Sequence, residues 1–110
     1  GSEMCIRDSI YTAGVTANDP ETQKMVAPGD IIGQTEQIMK NMQAILEEAG
    51  SDLAHIIKTM VFVKDIEDFA KFNEAYKKFF PNNPPARSTM QVGNFLGDMV
   101  IEIEAIATEK

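Results

Sequence analysis

Four side chains late in the chain have types and spacing that could do chemistry: Arg87, Thr89, Glu102 and Glu104. A guanidinium is always charged and presents a planar fork of N–H donors that grips a carboxylate at two points, which an ammonium does not match. A glutamate beside it can take a proton from water, or give one where burial raises its pKa, while a threonine hydroxyl both donates and accepts. Together they suit hydrolysis or proton transfer on a small carboxylate, with Arg87 as anchor and Glu102 as base. The same residues also make a charged cross-strand ladder, Arg87 against Glu102 or Glu104 on a wet face. Such exposed ion pairs are common and contribute little. Spacing alone leaves both readings open.

Both depend on the elements that carry these residues. Residues 84–107 alternate apolar and polar at the strand period, with Met90 and Val92 in one run and Ile101, Ile103 and Ala105 in the next. The reading is a β-hairpin turning at Phe95-Leu96, which sets Thr89 opposite Glu102 and Arg87 opposite Glu104, all on one face; a bulge would shift this register by one. Upstream, residues 10–16 (IYTAGVT) read as a strand, with Gly14 as a point of close backbone approach or a simple bulge. Asp30 caps a helix to about residue 49, whose stripe of Ile31, Thr35, Ile38, Met42, Ile45 and Leu46 faces a core and stops at Gly50. Residues 56–63 (IIKTMVFV) form a buried strand, with His55 at its edge in an exposed or capping role. A second amphipathic helix follows Asp65 and carries Phe69, Phe72, Tyr76 and Phe79 or Phe80 on one side, with Asn73 beside that stripe. Asn73 either bonds backbone at the sheet edge or lines a site. Pro81, Pro84 and Pro85 end the helix and lead the chain extended into Arg87.

The order strand, helix, strand, helix, strand, strand predicts an α+β fold, a mixed sheet with both helices on one face. The strands are apolar on both sides and nothing remains to cover the second face, which points to a homo-oligomer with ligand sites at subunit boundaries. The chain has 110 residues, 44% of them hydrophobic, and a net charge of -7, which fits one domain and argues against a nucleic-acid partner. A lone Cys5 and a lone His55 provide no disulfide and no plausible metal set. No signal peptide or membrane span is legible, so cytoplasm is the expected location. Residues 1–9 (GSEMCIRDS) read as a tag or atypical segment, with Gly1-Ser2 as a cleavage scar, and residues 10–110 as the domain.

The segments IYTAG, KTMVFVKDIEDF, FAKFNEAYKKFF, PPARST and VIEIEAIA, in this order and spacing, resemble the RidA (YjgF) family of enamine/imine deaminases over nearly all of residues 10–107. The resemblance implies a chorismate-mutase-like subunit, a homotrimer with three clefts between subunits, and hydrolysis of imines such as the tautomer of 2-aminoacrylate to 2-keto acids and ammonia, with no cofactor. It assigns carboxylate binding to Arg87, positioning of the attacking water to Glu102, and substrate contacts to Thr89, Asn73 and the Gly14 backbone. The sequence departs from the family at two points: the SGQ motif reads Ala13-Gly14-Val15, and the N-terminal strand with its tyrosine is absent, Tyr11 belonging to the next strand. Those departures motivate an alternative, a non-catalytic trimer that binds keto acids or a protein partner. A reading as endoribonuclease or translation inhibitor fits poorly with the acidic charge.

Overall fold

The computed structural model describes residues 3–110, so the Gly1-Ser2 scar lies outside the described residues. The elements are β1 (Glu3–Ile6), β2 (Ser9–Thr12), α1 (Ile31–Glu48), β3 (Ile56–Val63), α2 (Phe69–Lys77), β4 (Ala86–Gln91) and β5 (Ile101–Thr108), with short 3-10 turns at Leu53–His55 and Ile66–Asp68. One five-stranded sheet runs β1-β2-β5-β3-β4. Its pairs are antiparallel except β3 with β4, which are parallel and joined through α2. This is the mixed sheet with two helices that the sequence predicts.

Local chemistry explains the helices. Asp30 accepts from the Ile32 N–H at 3.1 Å and caps α1. Ile38, Met39, Met42 and Leu46 on that helix are fully buried, and Gly50 takes the left-handed φ of 87° just past its end. The first turn after Asp65 is 3-10 rather than α, so α2 begins later than the pattern predicts, at Phe69. Ile10, Val61, Val63, Ile101, Ile103, Ala105 and Ala107 supply the sheet side of the core and meet α1 and Phe72. Burying each of the larger of these contributes roughly 1.5–3 kcal/mol.

The predicted hairpin of residues 84–107 does not form. β3 lies between β4 and β5, paired with both. The reason is that IIKTMVFV is apolar on both faces and takes the middle of the sheet, while residues 92–100 bridge over its end instead of making a tight turn. Gln34, fully buried on α1, pins that bridge: its amide donates to Asp98 O at 2.9 Å and Ala27 O at 3.1 Å, and its carbonyl accepts from Val100 N at 3.0 Å.

Residues 3–6, set aside from the sequence, form the edge strand β1, which turns into β2 through Arg7 at φ 58°, the left-handed conformation a two-residue hairpin turn demands. The strand position absent from the sequence reading is therefore occupied, by EMCI, which holds no tyrosine. β2 itself stops at Thr12, and the chain touches the sheet again only where Val15 pairs with Ile103. The helix-free face carries Met60, Phe62, Met90, Tyr11 and Ile106 beside Lys58, Ser88, Glu102 and Glu104, and no element among the described residues covers it. No helix among the described residues is long and apolar enough to cross a membrane.

Candidate functional site

Arg87 leaves β4 on the helix side of the sheet. It sits opposite Thr59, whose hydroxyl shares a 2.8 Å hydrogen bond with the Tyr76 hydroxyl of α2. The guanidinium carbon lies 5.3, 5.2 and 4.9 Å from the ring centres of Phe69, Phe72 and Tyr76, and Nη1 donates to Asn73 Oδ1 at 2.9 Å. Of the two roles offered to Asn73 by the sequence, backbone bonding does not form among the described residues and lining a recess does, with the amide oxygen acting there as an acceptor for the arginine. Thr89 lies two residues on along β4, on the same face. Arg87, Asn73, Tyr76, Pro84 and Pro85 surround a recess of about 360 Å³. No Asp or Glu oxygen among the described residues pairs with the guanidinium, so neither Arg87–Glu102 nor Arg87–Glu104 forms the predicted ion pair.

Glu102 lies elsewhere. The register sets it opposite Phe62, whereas Arg87 is opposite Thr59, an odd separation of three along β3, so the two side chains leave opposite faces. The single-face constellation of Arg87, Thr89, Glu102 and Glu104 is thereby overturned, because the strand inserted between β4 and β5 reverses the parity that direct pairing would give. Glu102 meets Gly14 instead. A Cβ at Gly14 would overlap the Glu102 carboxylate, so the absence of a side chain at Gly14 is what lets the carboxylate lie against that backbone. Gly14 also lines a second recess of about 360 Å³ with Thr16, Asn18, Asn41 and Ile45, whose lining shares no residue with the one at Arg87. Asn41 fixes this loop by donating to Thr16 O at 3.0 Å and Asn18 O at 2.8 Å.

The Glu102 pKa is raised, first by partial burial and then by Glu104, its like-charged neighbour two residues on. That favours a carboxyl able to exchange protons nearer neutrality. Burial likewise raises the Tyr76 phenol, against the lowering effects of its Thr59 hydrogen bond and of Arg87, so Tyr76 serves as a neutral ring whose hydroxyl shares its hydrogen bond with Thr59. His55 does not join either group: its Nδ1 meets Asp52 at 2.6 Å in the 3-10 turn, where Asp52 also accepts from the His55 N–H at 3.1 Å. Among the described residues no three His, Cys, Asp or Glu side chains gather as a metal set.

The described residues thus present two separate groups: a fixed cation on one face of the sheet, and a carboxylate of raised pKa against a bare backbone on the other. The aromatic clasp of the arginine was missed from sequence, where Phe69, Phe72 and Tyr76 read as one side of an amphipathic core helix. The available signal was Asn73, polar at the centre of an otherwise aromatic helical face.

Comparison with known proteins bears on the fold and the family. The family model described as endoribonuclease L-PSP matches residues 2–109. A RutC family protein of Pyrococcus abyssi is 46% identical over 98 residues, 89% of this chain and 76% of that protein. Reactive Intermediate Deaminase A, chloroplastic, of Arabidopsis thaliana is 43% identical over 99 residues, 90% of this chain and 52% of its own length. Among solved structures, that of E. coli TdcF with bound serine superposes with a TM-score of 0.90 at 35% identity, covering 99% of this chain and 87% of that one.

Proposed function

The chain belongs to the endoribonuclease L-PSP family, and from that premise we propose that it hydrolyses small 2-imino acids, and the 2-enamino acids that tautomerise to them, to 2-keto acids and ammonia. The observation that carries this reading is the Arg87 fork, held in place with, among the described residues, Asn73 as its one hydrogen-bond partner and no carboxylate to neutralise it. A small acid supplies that missing partner. The deaminase named among the relatives and the amino acid bound to a structural neighbour support the same substrate class.

Because Arg87 and Glu102 leave opposite faces, the site we propose forms between copies: the Arg87 recess of one subunit closes on the Gly14–Glu102 surface of the next, in a homotrimer with three such clefts. The partly apolar, uncovered sheet face supports this assembly, since a face carrying Met60, Phe62 and Ile106 gains by burial against a copy of itself. In the cleft, Arg87 and Thr89 hold the substrate carboxylate. With the imine protonated, Glu102 takes a proton from water as the water oxygen bonds to the iminium carbon, and the C=N electron pair moves onto nitrogen, leaving an amine and a hydroxyl on the tetrahedral carbon. Glu102 returns that proton to the nitrogen and then takes the hydroxyl proton as the carbon–nitrogen bond breaks, so the carbonyl of the keto acid forms and ammonia leaves. No oxidant, metal or cofactor enters the balance.

The test is to generate 2-iminopropionate enzymatically and follow its disappearance. The wild type should outpace Arg87→Ala and Glu102→Gln, and equal rates would sink the proposal. A second reading, binding without turnover, is favoured by Ala13, which lacks a hydroxyl, and by the β1 strand EMCI, which lacks a tyrosine. Pyruvate raising the melting temperature with no loss of the imine would select it. Cleavage of RNA, named in the family's description, sits poorly with a net charge of -7.

A further inference from the structure

We infer that Phe69, together with Phe72 and Tyr76, forms a three-ring clasp that positions the Arg87 guanidinium for anion capture without cancelling its charge; Phe69 is then a positioning residue for the carboxylate site, and the inference rests on the function proposed above. Phe72 and Tyr76 are buried and belong to the core in any case. Phe69 does not: it is 38% exposed, yet its ring centre stands 5.3 Å from the guanidinium carbon and 6.2 Å from the Phe72 ring. Core packing does not demand an aromatic there, whereas a cation at the meeting point of three ring faces does.

The chemistry explains why rings rather than an acid hold this arginine. A carboxylate partner would fix the side chain but occupy the fork that a substrate must fill. Ring faces attract the cation through their quadrupoles, bring no net charge, and occupy no N–H donor. Asn73 adds one directional bond through a neutral oxygen, which sets the rotation of the fork about its axis. The arginine thus reaches its binding rotamer before the ligand arrives, and the entropy of freezing a long side chain is not charged against binding. α2 supplies the whole device from one face, because positions 69, 72, 73 and 76 follow the helical repeat.

The experiment compares Phe69→Leu, which keeps an apolar side chain and removes the ring face, with Phe69→Tyr, which restores the ring. Two readouts apply: the Arg87 Nε–Hε resonance, which neighbouring ring currents displace, and pyruvate affinity by calorimetry. In Phe69→Leu the resonance should move toward its free-arginine position and pyruvate should bind about two- to fivefold more weakly, a loss of the size expected for one cation–π face. The melting temperature should stay near that of the wild type, and Phe69→Tyr should recover both readouts. In an Arg87→Lys background the Phe69→Leu effect should shrink, as coupling through Arg87 requires. An unmoved Arg87 resonance, or unchanged pyruvate affinity in a wild type that binds it, overturns the clasp. Failure of the wild type to bind pyruvate counts instead against the carboxylate site, and the resonance alone then decides the clasp.

Discussion

Glu102 and Gly14 show how much a single position can decide. An alanine methyl at residue 14 would run into the Glu102 carboxylate, the far end of a flexible chain that can swing away. Gly14→Ala should therefore fold with a melting temperature close to the wild type but lose about tenfold or more in kcat, as a displaced base does; a fall in stability with kcat preserved would contradict this. The pH profile follows from the raised Glu102 pKa. As a base it must be ionised, so kcat/KM should fall as pH drops through a value above that of an ordinary glutamate, and this limb should vanish in Glu102→Gln. For stability the sign is fixed by proton affinity: the folded chain holds this proton more tightly than the unfolded one. Its contribution is present below the unfolded-state pKa and lost as pH rises through the folded value. Asp52, lowered chiefly by its hydrogen bond with His55, acts in reverse, adding stability above its unfolded-state pKa and losing it on acidification. Arg87→Ala should weaken pyruvate binding by about 10- to 100-fold, the range for charge-assisted bonds, and should do so without a large loss of stability. The types of these residues stood out in the sequence, as a guanidinium and carboxylates within one short region. Their mutual geometry did not.

At the scale of elements, the limits of sequence reading have a definite cause. Alternation identifies a strand and which of its residues share a face, so β5 was readable; β3 was readable as a short β-branched apolar run, and the Asp30 cap with Gly50 bounded α1. Alternation carries no information on which strand is the neighbour. β4 and β5 looked like a hairpin because they follow each other, yet β3 separates them, and one inserted strand turned a single charged face into two. The signal against a hairpin lay in the connection itself, since residues 92–100 are long for a tight turn and are held by Gln34 from another element. Gln34→Leu would strand two carbonyls and one N–H where the glutamine side chain now meets them. We expect a loss of about 2–4 kcal/mol in denaturant titration, with the connection rather than the sheet most affected in hydrogen exchange. A change within ±0.5 kcal/mol would show that the bridge is pinned by something else.

For the whole molecule the governing fact is that the fixed cation and the proton-accepting carboxylate belong to different faces of one sheet. In the function proposed above, each of these groups is one half of a cleft, and the uncovered apolar face is where a second copy would bring the other half. The expectation of an oligomer came from counting apolar strand faces against the helices available to cover them. The placement of the two half-sites required the register. Co-expression of Arg87→Ala with Glu102→Gln subunits tests this most directly, because each variant alone has a defect in every cleft, whereas mixed assemblies pair an intact arginine face with an intact glutamate face. With random mixing, the account predicts imine hydrolysis at about a quarter of the wild-type rate per site. Mixed assemblies, verified by mass, that remain as inactive as either variant alone would contradict it.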